Sequence, residues 1–100
     1  MTATPLPDLI LYTRAGCDLC DAARDLAQGL LEDRAARSQP LAVLRERDVD
    51  ARPDLRAEFG NRVPVFELRG RRLELAVSGA RIRRFLAENL DGAAATDRIA

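Results

Sequence analysis

Cys17-Asp18-Leu19-Cys20 is the stretch whose residue types and spacing can do chemistry. Two thiols two residues apart can close into a disulfide, and a thiolate is the nucleophile that exchanges one disulfide for another. The pair follows an apolar run and a break, and precedes residues at helical spacing. That context puts the first sulfur at a helix N-terminus, where unpaired backbone N–H groups favour an anion. Cys17 is therefore expected to attack a disulfide and Cys20, one turn on, to resolve the mixed disulfide. Arg14 favours the thiolate, while Asp18 and Asp21 oppose it by like-charge repulsion. Two other readings stand beside this one: cysteines that merely pack as small apolar side chains, or half of a metal or iron–sulfur site shared by two copies.

Composition narrows the chemistry further. The 100 residues hold no His, which removes the commonest general base and metal ligand. With two Cys and no His, one chain cannot build a four-ligand Cys/His zinc site, nor a Ser-His-Asp or Cys-His hydrolase. Sixteen basic residues balance sixteen acidic ones, which argues against a nucleic-acid partner. The balance is uneven along the chain: residues 1–50 carry six Arg against nine acids, and residues 51–100 carry ten Arg against seven. The second half thus leans toward anionic ligands or partners. No run approaches the roughly 18 apolar residues of a membrane span, and residues 1–7 lack the basic and apolar regions of a signal peptide. A cytoplasmic protein is expected. In that reducing compartment a Cys pair more often means redox or metal chemistry than structural bracing.

The elements that must position the pair are legible as one α/β domain over residues 8–90, with a flexible start (1–7) and tail (91–100). Leu9-Ile10-Leu11-Tyr12-Thr13 reads as a buried strand. From Leu19, Ala22, Ala23, Leu26, Ala27, Leu30 and Leu31 recur at helical spacing, ending by Ser38-Gln39-Pro40. A second strand starts at Leu41 and runs into the charged residues up to Asp50. Pro53 opens a short helix with Leu55 and Phe59 on its apolar face, stopped by Gly60-Asn61. Residues 63–68 and 72–77 read as strands of a hairpin turning at Gly70. Ser78-Gly79 opens a last helix facing inward through Ile82, Phe85, Leu86 and Leu90. The order β-α-β-α-β-β-α implies a parallel crossover followed by an antiparallel hairpin, hence a four-stranded mixed sheet. Of the four aromatic residues, three are expected in the core.

At these residues the chain resembles the glutaredoxin-like branch of the thioredoxin superfamily. Leu11 to Cys20 is similar to that family's first strand and active-site loop, Val63-Pro64 to its Val-Pro loop, and Ser78-Gly79 to the turn before its last helix. The resemblance spans about residues 8–90. It implies a thioredoxin-like fold with the first two strands at the centre and edge of the sheet, and Pro64 in a cis peptide facing the thiols. It implies a dithiol–disulfide oxidoreductase in which Cys17 and Cys20 are catalytic, and Arg14, Val63, Pro64 and Gly79 bind substrate, Val63 through its backbone. No tightly bound cofactor or metal is implied. Substrates would be protein or glutathione mixed disulfides, the electron donor glutathione or a thioredoxin-reductase-type enzyme, and the protein a monomer.

The chain also departs from the family pattern. Asp-Leu stands between the cysteines where Pro-Tyr is usual. Gly79-Ala80-Arg81 lacks the acid that usually accepts glutathione's amino group. Leu11 replaces the buried Asp of thioredoxins, and Arg62, Arg81, Arg83 and Arg84 are either carboxylate ligands for glutathione or a solvated face. A binding or redox-sensing module with idle cysteines is the alternative from another class.

Overall fold

In the computed structural model, which describes residues 5–91, strand β1 (Asp8–Thr13) lies inside a four-stranded sheet of order β2-β1-β3-β4. Its alternation explains the layers. Leu9 and Leu11 are fully buried on one face, while Ile10 and Tyr12 join a second cluster on the other. Strand β2 (Val43–Asp48) pairs parallel to β1, with Leu9 opposite Leu44 and Thr13 opposite Asp48. Strand β3 (Val65–Leu68) pairs antiparallel to β1, with Tyr12 opposite Val65. Strand β4 (Arg71–Leu73) pairs antiparallel to β3, with Leu68 opposite Arg71. Arg69 (φ 54°) and Gly70 (φ 79°) fill the two-residue turn between them, the pair of positive φ angles that a tight hairpin twist requires.

Helix α1 (Asp18–Ala36) and helix α3 (Gly79–Leu90) pack together on the Leu9/Leu11 face. Ala23 and Ala27 are fully buried there; their small side chains let α1 lie close to the sheet. Ile82, Phe85, Leu86 and Leu90 fill the space beneath α3 together with Phe66 and Leu68. Each large side chain so buried contributes about 1.5–3 kcal/mol. A 3-10 turn (Val49–Ala51) and helix α2 (Pro53–Phe59) cover the opposite face, where Tyr12, Val49, Phe59 and Val65 form the smaller cluster. This is the expected thioredoxin-like arrangement, with β1 inside the sheet and β2 at its edge.

Several expectations need correction. The second strand begins at Val43 and ends at Asp48, where the 3-10 turn takes over. The third begins at Val65, after the proline, and the fourth stops at Leu73 instead of reaching Val77. Leu75 has φ 49°, which breaks an extended run. All four aromatic residues, not three, are buried. The expected flexible start and tail fall largely on residues 1–4 and 92–100, which lie outside the described residues.

Candidate functional site

Four segments converge on the end of the sheet where β1 finishes. Because β2 runs parallel to β1 and Thr13 faces Asp48, the Val49–Ala51 turn leaves the sheet at that end. Because β3 runs antiparallel and Tyr12 faces Val65, Val63-Pro64 enters the sheet at the same end. The stretch after β4 returns alongside it: Leu75 N–H donates to Arg62 O (3.0 Å) and Ala76 N–H to Pro64 O (2.8 Å). The loop 14–16 after β1 completes the set.

That loop turns at Gly16 (φ 73°) and delivers Cys17 to the N-cap of α1. Cys17 and Cys20 are joined as a disulfide, with Cα atoms 5.2 Å apart. Cys17 Sγ accepts a hydrogen bond from the Cys20 N–H at 3.1 Å, the contact by which a helix terminus stabilises negative charge on sulfur. The two sulfurs differ in access. Cys17 is half-buried and Cys20 is fully buried, so Cys17 is the more accessible of the two. Asp18 and Leu19 between them are exposed. Asp21, one turn on, pairs with Arg24 (3.0 Å), which also grips Glu46 of β2 (2.7 Å). The hydrogen bonds to Glu46, then to Asp21, raise Arg24 above the ordinary arginine value.

Arg14 does not present a free charge to this end of the molecule. Its Nε and Nη2 donate to the two carboxylate oxygens of Asp50 at 3.0 and 3.1 Å, and Nη1 donates to Gly60 O at 3.3 Å. One guanidinium thus ties the cysteine loop to the 3-10 turn and to the end of α2. Sequence reasoning missed Asp50 as its partner, 36 residues away, and no local signal marks it.

The Val63–Pro64 peptide is cis. Val63 is half-buried and Pro64 buried. Gly79 is the first residue of α3, capped by Ser78, whose Oγ accepts from Arg81 N–H at 3.3 Å. A Cβ at Gly79 would lie 3.4 Å from Leu26 Cδ2 of α1, so the position closes a helix–helix contact. The first turn of α3 holds no acid. Of the arginines weighed for carboxylates, Arg62 pairs with Glu74 (3.1 Å) and Arg81 donates to the carbonyls of Leu75 and Glu74 (3.3 and 3.5 Å). Arg83 and Arg84 are exposed on α3.

Beneath this end, Tyr12 stacks on Phe59 with ring centroids 4.1 Å apart and donates its hydroxyl to Glu67 Oε1 at 2.8 Å. Burial, and then the hydrogen bond to Glu67, push the phenol up to about 12. The Arg72 guanidinium lies over the Phe59 ring, 4.7 Å from its centroid, and pairs with Glu58 at 2.7 Å. That pairing raises the Arg72 guanidinium above its ordinary value.

Among the described residues no group of three or more His, Cys, Asp or Glu could hold a metal ion, and no helix is long and apolar enough to cross a membrane. Residues 8–87 match the family described as Glutaredoxin-like domain (DUF836). In three dimensions the chain is similar to the X-ray structure of structural-genomics target protein XcR50 from X. campestris. The TM-score is 0.62 at 29% identity, over 78% of this chain and 93% of that one. Among curated proteins, none matches.

Proposed function

The chain belongs to the glutaredoxin-like domain family, and from that premise we propose that it is a thiol–disulfide oxidoreductase working through Cys17 and Cys20. The observation that carries this reading is the asymmetry of the pair: a half-buried cysteine at a helix N-cap, joined to a fully buried one a turn away.

In the reduced protein, the Cys17 thiolate attacks one sulfur of a partner disulfide. A Cys17–partner bond forms, the partner's S–S bond breaks, and its second sulfur leaves as a thiolate that takes up a proton. The Cys20 thiolate then attacks Cys17 Sγ. The Cys17–Cys20 bond closes, and the first partner sulfur leaves as a second thiolate. The partner disulfide gains two electrons and two protons, and the protein is left in the oxidised form described above. A donor of two electrons restores the dithiol.

Substrates on this reading are protein or glutathione mixed disulfides. Val63, beside the cis proline, offers backbone pairing to an extended segment of the partner. The donor is glutathione or a thioredoxin-reductase-type enzyme, and the working protein is a cytoplasmic monomer. A redox titration followed by alkylation and mass measurement separates the donors. A midpoint of roughly −200 to −230 mV fits glutathione, and one near −270 mV or lower fits a flavoenzyme.

The deciding experiment uses two variants with a small disulfide substrate. Cys17→Ser abolishes exchange. Cys20→Ser attacks once and accumulates a mixed disulfide on Cys17, seen by mass. Turnover that survives in Cys17→Ser overturns the assignment.

A further inference from the structure

Leu75 is held in a conformation that leucine avoids, with about half of its side chain left exposed. Its φ is 49°, in the left-handed region that favours glycine and is disfavoured for a branched side chain. Yet the side chain is 52% exposed. The backbone around it is over-determined: Leu75 N–H donates to Arg62 O, Ala76 N–H donates to Pro64 O, and the Leu75 carbonyl accepts from Val77 N–H (2.9 Å) and from Arg81 Nη1 (3.3 Å). Ala76 is fully buried, which leaves Leu75 and Val77 projecting on either side of it, Val77 at 50% exposure. An exposed apolar side chain fixed in a costly conformation beside a reactive end is the pattern that marks a contact surface.

The charge around these two side chains leans basic: Arg62 pairs with Glu74 and Arg72 with Glu58 and Glu67, while Arg81 and Arg84 make no ion pair among the described residues. From 69 to 84 the chain carries six Arg and a single acid, Glu74. The fold keeps this block together, because β4 is the sheet edge and α3 packs beside it. A groove of about 230 Å³ between them is lined by Arg72, Arg81 and Arg84, with Leu73, Phe85 and Glu88. Arg81 links this basic edge to the Leu75 loop through its bond to the Leu75 carbonyl. The opposite edge of the sheet, β2, is balanced instead: Arg45 and Arg47 alternate with Glu46 and Asp48. The Arg excess of the second half of the sequence is therefore gathered at one edge of the sheet.

We propose that Leu75, Val77, Arg81 and Arg84 form a docking surface for a protein partner that presents an acidic segment with apolar side chains next to its disulfide or dithiol. The apolar pair anchors the segment beside Val63-Pro64, and the arginines select its charge. Steering of this kind raises encounter rates at low salt and rejects like-charged partners. The partner's sulfur chemistry rests on the exchange reading above; the surface itself does not.

Three disulfide probes test it: a Glu/Leu-rich peptide, its Lys/Leu counterpart of equal length, and hydroxyethyl disulfide. At low salt the acidic peptide should exceed the basic one in kcat/KM by roughly tenfold or more, and added salt should shrink the gap. Arg81→Gln/Arg84→Gln should lower the ratio of acidic peptide to hydroxyethyl disulfide several-fold. Leu75→Gly should lower the same ratio while Tm holds or rises, because glycine accepts the positive φ. A fall in Tm would make Leu75 a structural residue and overturn its docking role. Equal rates for the two peptides overturn the charge selection. Failure of all three probes to exchange would instead count against the oxidoreductase reading. The surface is then decided by fluorescence anisotropy of the labelled acidic peptide on the oxidised protein. Saturable, salt-sensitive binding supports it; no binding, or tighter binding of a single-stranded oligonucleotide or an anionic vesicle, overturns it.

Discussion

The guanidinium of Arg14, three residues ahead of Cys17, grips both carboxylate oxygens of Asp50, at 3.0 and 3.1 Å. The pair neutralises the one cation in the loop that carries Cys17. It also spans the sheet end, since Asp50 sits in the 3-10 turn after β2. Asp50→Asn should therefore release an uncompensated positive charge toward the sulfur and speed alkylation of reduced Cys17 by iodoacetamide at neutral pH. Arg14→Gln should not. Both side chains are more than one-third exposed, so the loss of stability in either variant should stay within about 1 kcal/mol. Equal alkylation rates in the wild type and Asp50→Asn would show that this charge does not reach the thiol.

How much of this was legible in the sequence depends on how local each signal is. The cysteine pair, the helix after it, the Gly70 hairpin and the last helix all follow from residues within a few positions of one another, and each is found. The strand ends are not, because they are set by contacts from elsewhere. Leu73, Leu75 and Val77 alternate like a strand, but Leu75 N–H is taken by Arg62 O and its φ turns positive. Val63-Pro64 reads as the start of a strand, yet the ladder begins at Val65 and the Pro64 carbonyl is spent on Ala76. The cis state of that peptide came from family resemblance, not from any periodicity. Partners far apart in sequence, Arg14 with Asp50 and Tyr12 with Glu67, leave no pattern to read.

Tyr12 is the only tyrosine in the chain, so its titration can be followed by absorbance near 295 nm without interference. Burial and the Glu67 hydrogen bond raise it from 10.0 to about 12. A group whose folded value lies above its unfolded one contributes stability that is whole below pH 10. That stability is lost as pH rises through about 12. A rise from 10.0 to about 12 corresponds to roughly 2 to 3 kcal/mol. Unfolding free energy in denaturant should fall by that order between pH 9.5 and 12 in the wild type, and much less in Tyr12→Phe. A tyrosine absorbance change centred near pH 10 in the folded protein would refute the shift.

Phe59 joins the small cluster to the charged surface: Tyr12 stacks on one side and the Arg72 guanidinium lies over its ring. At 1% exposure it is part of the core. Phe59→Ala should cost about 3–5 kcal/mol, from lost burial and the cavity left behind. Phe59→Leu refills most of the volume but removes the ring. It should recover most of the loss while leaving a deficit of roughly 1 kcal/mol from stacking and the cation–π contact. Chemical denaturation of the two variants separates these parts; equal stability of Phe59→Leu and wild type would show that the ring contacts add nothing to burial.

Gly60 tests how tightly the approach to Val63-Pro64 is built. It closes α2 with ordinary helical angles, so glycine is not needed there for its freedom of φ. The constraint is space. A Cβ would sit 2.6 Å from the carbonyl oxygen of Arg56, a backbone atom of the preceding turn. Gly→Ala normally stabilises a compatible site by about 0.4–1 kcal/mol through the unfolded chain. Here the clash must move α2 or the loop after it, at a cost of roughly 1–3 kcal/mol. The Gly60 carbonyl accepts from Arg14, so the displacement reaches the loop that carries Cys17. Gly60→Ala should therefore lower Tm and also slow disulfide exchange, and the two losses should appear together. A variant with raised Tm would mean that the loop yields freely, and that the link from α2 through Arg14 does not hold the cysteine loop in place.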